Sequence, residues 1–274
     1  MFTLNCRGKL LATDAPLIMG IINSTPDSFY SSNINDDILE LAGSMIAAGA
    51  AILDIGGQST RPGSRRITAA EETTRVLPVI ELIQKHFPQT IISIDTYNSK
   101  VAMAAVEAGA SIVNDISGGD MDELMIATVA SLHVPYICMH MQGNPETMQE
   151  QPHYTDIVKE VLDYFIAKKA QCKNAGITDM IIDPGFGFGK TIEHNFSLLK
   201  NLKAFTLFDM PVLAGLSRKS TVYKTLQTTA ADALNGTTVL NTMALLNGAS
   251  ILRVHDVKEA QEAITLFNAY KKAP

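Results

Sequence analysis

Short apolar runs recur along the chain, each closing on a polar or glycine-rich stretch and most followed by a segment of helical periodicity. "LIMGIIN" (17–23), "AAILDIGG" (50–57), "TIISIDT" (90–96) and "ASIVNDIS" (110–117) come first. "VPYICMH" (134–140), "MIIDPG" (180–185), "PVLAGLS" (211–217) and "ASILRVH" (249–255) complete a set of eight. Their near-continuous hydrophobicity predicts parallel strands covered on both faces. The stretches "TAAEETTRVLPVIELIQKHF", "NSKVAMAAVEAGA", "YTDIVKEVLDYFIAKKAQCKNAG" and "DVKEAQEAITLFNAY" predict amphipathic helices. The third ends in Asn-Ala-Gly, a helix stop. Strand–helix alternation eight times over in 274 residues predicts an α/β protein, a (β/α)8 TIM barrel. A doubly wound sheet fits less well, because it shows fewer strands and a phosphate-binding glycine turn after the first. No Pro/Ser linker or charge block divides the chain, so one domain over 1–274 is expected.

Polar residues mark the C-terminal ends of the predicted strands. They are Asn23, Asp54, Asp95, Asn114 with Asp115, His140, Asp183, Ser217 with Arg218 and Lys219, and Arg253 with His255. In a barrel those ends converge on the face where active sites are built. A carboxylate or guanidinium after several apolar residues costs stability unless it is paired. One such residue is readily explained as structural; a whole ring of them predicts a polar pocket. Asp95, Asn114 and Asp183 suit a flat heterocycle with N–H donors, since carboxylate and ring edge are both planar. Arg61, Lys219, Arg253 and His255 suit a diphosphate, and Asn23 with phosphate oxygens suits magnesium.

The segment "DPGFGFGKT" (183–191) has the composition of a phosphate cradle but not its spacing. A Walker-type loop needs glycine at position 184, which is proline here, and the dinucleotide pattern needs glycine at 190, which is lysine. Asp183 is therefore read as facing a ligand, Pro184 as turning the chain, and Phe188 as a wall for an aromatic ring. Lys190 is expected to face solvent or a helix C-terminus.

The net charge of −6 argues against nucleic-acid and acidic-membrane partners. Any anionic ligand must be met by a local cluster of cations. Cys6, Cys138 and Cys172 stand far apart without metal spacing, as idle thiols in a reducing compartment do. The first residues lack the layout of a secretory leader, and no apolar run nears the ~18 residues of a membrane span. A soluble cytoplasmic protein is the expectation.

Taken in order, "MGIINSTPDSF", "DIGGQSTRPGS", "SIDTYNS", "NDISG", "MHMQGNPETMQ", "DPGFGFGK", "GLSRKS" and "RVHDVKE" strongly resemble the dihydropteroate synthase family. The likeness covers nearly the whole chain. It implies a magnesium-dependent barrel enzyme, commonly a homodimer and a sulfonamide target. Such an enzyme joins 6-hydroxymethyl-7,8-dihydropterin diphosphate to para-aminobenzoate in folate biosynthesis. Carried over by position, Asp95, Asn114, Asp183 and Lys219 would hold the pterin. Arg253 would stack on it and, with His255, Arg61 and Asn23, hold the diphosphate and Mg2+. Thr60, Pro62, Phe188, Lys219 and Ser220 would line the aminobenzoate site, with Arg61, Lys219, Arg253 and His255 the catalytic cations.

Loops 24–35 and 58–67 are the candidate lids. The chain departs from the family pattern in two places. Tyr30, Ser31, Ser32 and Asn33 stand where an Asp-Gly-Gly stretch is usual, and Gln58 where Glu is usual. The rival readings are a pterin-binding homologue that no longer catalyses and a methyltetrahydrofolate-dependent methyltransferase domain. The second has no use for "STRPG" or "SRKS".

Overall fold

The computed structural model describes residues 2–25, 34–59, 64 and 66–274. The chain opens with an antiparallel hairpin of β1 (Phe2–Cys6) and β2 (Lys9–Thr13), Cys6 opposite Lys9. Arg7 and Gly8 both hold positive φ in the turn, as the favoured two-residue hairpin turns require.

The barrel strands follow as β3 (Leu17–Asn23), β4 (Ile52–Gly56), β5 (Ile91–Asp95) and β6 (Ile112–Asp115). Then come β7 (Tyr136–Met139), β8 (Met180–Asp183), β9 (Leu213–Ala214) and β10 (Ile251–Val254). Each pairs in parallel with its neighbours in the order β8-β7-β6-β5-β4-β3-β10-β9. A parallel bridge between Ile182 and Val212 joins the two ends, with the Ile182 N–H donating to the Pro211 carbonyl at 2.9 Å. The eight apolar runs are thus the eight strands of a closed ring, as the pattern predicts.

The helices pack outside it: α1 (Ile34–Ala47), α2 (Ala69–His86), α3 (Ser99–Ala108), α4 (Met125–Leu132) and α5 (Ile157–Ala175). They continue as α6 (Ile192–Lys200), a 3-10 turn over Leu202–Phe208, α7 (Ser220–Thr225), α8 (Leu234–Leu246) and α9 (Val257–Lys272). Local chemistry sets their ends. The Thr68 hydroxyl accepts from the Glu71 N–H to open α2, and Asp156 accepts from Val158 and Lys159 to open α5. Gly176, left-handed at φ 96°, stops α5 where Asn-Ala-Gly predicts it. Among the described residues no helix is long and apolar enough to cross a membrane.

Successive strand residues face opposite sides, so each strand divides its side chains by parity. One parity (Ile18, Leu53, Ile92, Val113, Cys138, Ile182 among others) packs under the helices. The other begins with Met19, Ile52, Ile91, Ile112, Ile137, Ile181, Leu213 and Ile251, which fill the barrel floor. Leu4 and Cys6 of the hairpin seal that floor from below. Burying a leucine there contributes about 2 kcal/mol. The inward face is apolar at the bottom; what stands above it, on the same parity, is polar.

Candidate active site

Two residues beyond the floor, on the inward parity, come Asp54, Ser93, Asn114, Asp183 and Arg253; two more along β5 comes Asp95. Arg253 lies at the centre of this layer. Its Nε donates to Asp54 Oδ2 at 2.6 Å and its Nη2 to Asp95 Oδ2 at 2.5 Å. Asn114 Nδ2 donates to the same Asp54 oxygen at 3.0 Å. Asp54 is wholly buried, whereas the Arg253 side chain keeps 18% of its surface at the mouth. Asp54 Oδ1 and Ser93 Oγ have no hydrogen-bond partner among the described residues.

Asp183 and Lys219 form the neighbouring half. The Gly185 N–H donates to Asp183 Oδ1 at 2.8 Å, turning the chain at the strand end. Lys219 caps α7, its Nζ donating to the Phe186 carbonyl at 2.6 Å and standing 4.7 Å from the centre of the Phe188 ring. A cation at that distance from a ring face is attracted by the ring quadrupole. Burial pulls the Lys219 ammonium down to about 8, with Asp183 opposing the shift. Burial raises Asp183, opposed first by Lys219. Burial also pushes Asp95 up to about 7 against the pull of Arg253, helped by the charges of Asp54, Glu72 and Asp115. Carboxylates that resist ionising beside a lysine that resists protonation are tuned to receive a polar guest.

The remaining expected residues divide. His255 stands beyond β10, its Nδ1 3.0 Å from Ser217 Oγ. Ser220 is the first residue of α7. Asn23 ends β3 and is exposed. Among the described residues no three His, Cys, Asp or Glu side chains gather to hold a metal. One amide oxygen on a polar rim fits magnesium only as an ion held mainly by substrate oxygens and water, a common arrangement for this cation. Thr60, Arg61 and Pro62 lie outside the described residues, as do Asp27 and the departure at Tyr30, Ser31, Ser32 and Asn33.

Gln58 turns to Tyr97, its Nε2 donating to the phenol oxygen at 2.5 Å. Arg66 lies 6.0 Å from that ring and 3.6 Å from Glu146, so the loops after β4, β5 and β7 meet at the mouth.

Three strand-end residues do not join the pocket. Asp115 has the outward parity, and its carboxylate accepts from Ser117 N and Oγ, Gly119 N and Tyr136 Oη. His140 packs between the rings of Tyr154 and Tyr164. Arg218 makes a two-pronged pair with Asp256 and also donates to the Ala230 and Ala231 carbonyls. Asp115 turns away because a one-residue step along a strand reverses the face, whereas His140 and Arg218 lie beyond the ends of β7 and β9.

Lys190 corrects the sequence reading outright. It is buried, not solvent-facing, and its Nζ donates to the carbonyls of His140 (3.2 Å), Gly185 (2.9 Å) and Phe188 (2.9 Å). The glycines beside it curl the loop around the ammonium. Gly185 sits at φ 73°, and a Cβ there would come within 1.9 Å of the His140 carbonyl oxygen. No side chain fits. The strand-end pattern put Asp54 in the polar ring but gave it no partner and no role; its spacing of two from Ile52 is the signal that it faces inward beside Arg253.

A model of the family "Pterin binding enzyme" matches residues 19–255. The dihydropteroate synthase of Escherichia coli (strain K12) is 42% identical over 268 residues, covering 96% of this chain and 94% of that protein. A solved Yersinia pestis dihydropteroate synthase, in a sulfonamide drug complex, is 38% identical at a TM-score of 0.94, covering 99% of this chain and all of that one. The Xanthomonas albilineans enzyme solved with 4-aminobenzoic acid is 37% identical at a TM-score of 0.92, covering 99% of both chains. With the motifs in register, the floor sealed and the polar layer above it, the chain belongs to the pterin-binding enzyme family, in its dihydropteroate synthase branch.

Proposed function

We propose that this chain condenses 6-hydroxymethyl-7,8-dihydropterin diphosphate with para-aminobenzoate, giving 7,8-dihydropteroate and diphosphate for folate biosynthesis. The observation that carries the reading is the Asp54–Arg253–Asp95 pairing beside Asp183 and Lys219, a planar acceptor layer with cations on its rim. Asp183, Asn114 and Asp95 take the amino-pyrimidine edge of the pterin, and Asp54 Oδ1 is a further acceptor for its N–H groups. Lys219 donates to the ring system.

In the reaction the bond from the pterin methylene to the diphosphate oxygen breaks, and the electron pair leaves with the diphosphate. The resulting cation is spread over the pterin nitrogens. The aniline nitrogen lone pair forms the new C–N bond and its proton passes to solvent or to the released diphosphate. An aniline is uncharged at neutral pH, so no strong general base is required. What this chain contributes is charge and orientation: Arg253, Arg61 and His255 meet the leaving diphosphate, each such donor being worth about 3 kcal/mol. Arg253 reaches it by exchanging a carboxylate partner for a phosphate oxygen. Asn23 would hold magnesium, which when bound would neutralise charge on the leaving group. Phe188 and Pro62 flank the aminobenzoate ring, while Thr60 and Ser220 meet its polar ends. The buried, unpaired cysteines suit a reducing cytoplasm. The exposed Val239, Met243 and Leu246 on α8 suit burial against a second copy of the chain.

The test mixes the protein with Mg2+, pterin diphosphate and para-aminobenzoate and follows diphosphate release and dihydropteroate. Equimolar appearance of both is expected. Pterin binding without diphosphate release would establish the non-catalytic binder instead.

A further inference from the structure

Lys190 is a buried cation for which the chemistry above has no use. An ammonium has three donors and no acceptor. Here all three are taken, by the carbonyls of His140, Gly185 and Phe188, so it cannot touch a guest without giving up a bond it already makes. Two of those carbonyls belong to the loop after β8, and the third, of His140, lies just beyond β7. The loop carries the two groups that meet Lys219: the Phe186 carbonyl, at 2.6 Å from its Nζ, and the Phe188 ring, 4.7 Å away. Neighbours complete the hold, with Asn195 Oδ1 accepting from the Gly187 N–H at 2.7 Å and Tyr154 Oη donating to the Gly189 carbonyl at 2.9 Å. Removing a charge that gathers three carbonyls leaves buried acceptors unpaired and facing one another.

We propose that Lys190 is a positioning residue for the aminobenzoate half of the site, holding the Phe186 carbonyl and the Phe188 ring against Lys219 by tying the loop to the end of β7. The assignment of that half-site rests on the function proposed above; the tie itself does not. Lys190 acts on the aromatic amine through the loop; of the pterin acceptors only Asp183, whose Oδ1 accepts from the Gly185 N–H, is joined to that loop, whereas Asp54, Asp95 and Asn114 stand on β4, β5 and β6.

Lys190→Met keeps the length of the stem and removes the charge. In this variant the amides of residues 185–189 should exchange with solvent at least about 10-fold faster than in the unaltered protein, with β5 and β6 unchanged. The KM for para-aminobenzoate should rise at least about 10-fold while pterin affinity stays within about 2-fold. Unchanged exchange would overturn the role of Lys190 whatever the activity. Equal losses for pterin and aminobenzoate would overturn it too, by showing a general structural part. An inactive unaltered protein would instead defeat the functional reading and leave the exchange comparison standing. If the methionine variant does not fold, Lys190→Gln is judged by the same two measurements and the same outcomes.

Discussion

Arg253 and Asp54, 199 positions apart in the chain, meet at 2.6 Å, and the same guanidinium holds Asp95 at 2.5 Å. One side chain from the last barrel strand therefore ties together two adjacent strands from the first half of the fold. Asp54→Ala removes a wholly buried carboxylate and leaves Arg253 Nε and Asn114 Nδ2 without their shared acceptor. A loss of about 3 kcal/mol in urea unfolding is expected, as for other broken buried pairs, together with weakened pterin binding. A variant as stable as the parent would show that Arg253 is held without Asp54.

Asp183→Asn keeps shape and burial but replaces one acceptor with a donor. Pterin affinity should fall at least ~10-fold, while the unfolding midpoint moves little. Calorimetric titration with a pterin measures the first and thermal unfolding the second. In the same assay series, Lys219→Ala should lower kcat/KM for the pterin diphosphate by at least ~10-fold. Parental kinetics would remove Lys219 from the site.

Glu72 makes stability depend on pH. It is buried beneath the mouth, accepts a hydrogen bond from the Thr96 side chain, and is pushed up to about 7 by burial. A carboxyl raised above its unfolded value binds more protons folded than unfolded between about 4.5 and 7, so its contribution is full below that window and fades as pH rises through it. Glu72→Gln imitates the neutral acid. Urea titrations should find the variant matching the parent near pH 4.5 and exceeding it at pH 8, the gap growing by at most about 1.4 kcal/mol per pH unit. A gap that is constant with pH would mean that Glu72 titrates alike in the folded and unfolded chain.

Leu4 tests the floor of the barrel. It is 2% exposed and packs among the inward isoleucines. Leu4→Ala should cost about 3 kcal/mol through lost burial and a residual cavity, with kcat and both KM values unchanged at temperatures where the protein stays folded. A kinetic change would show that the floor transmits strain to the polar layer above it.

Much of this protein was settled by its sequence alone. Apolar runs long enough for strands, closed by polar residues and separated by amphipathic segments, leave a ring of parallel strands as the arrangement that buries every run on both faces. "LIMGIIN" became β3 residue for residue, and Asn-Ala-Gly ended α5 at a left-handed glycine, because both signals are local. Which of the strand-end polar groups share a pocket was left to the tertiary structure. Asn114 and Asp115 are neighbours in sequence, yet one reaches Asp54 across the barrel and the other is locked under the helices, since one step along a strand changes the face. Lys190 looked like a solvent residue because lysine almost always is one. Only folding brings three carbonyls to one point, and that convergence makes burying its charge tolerable.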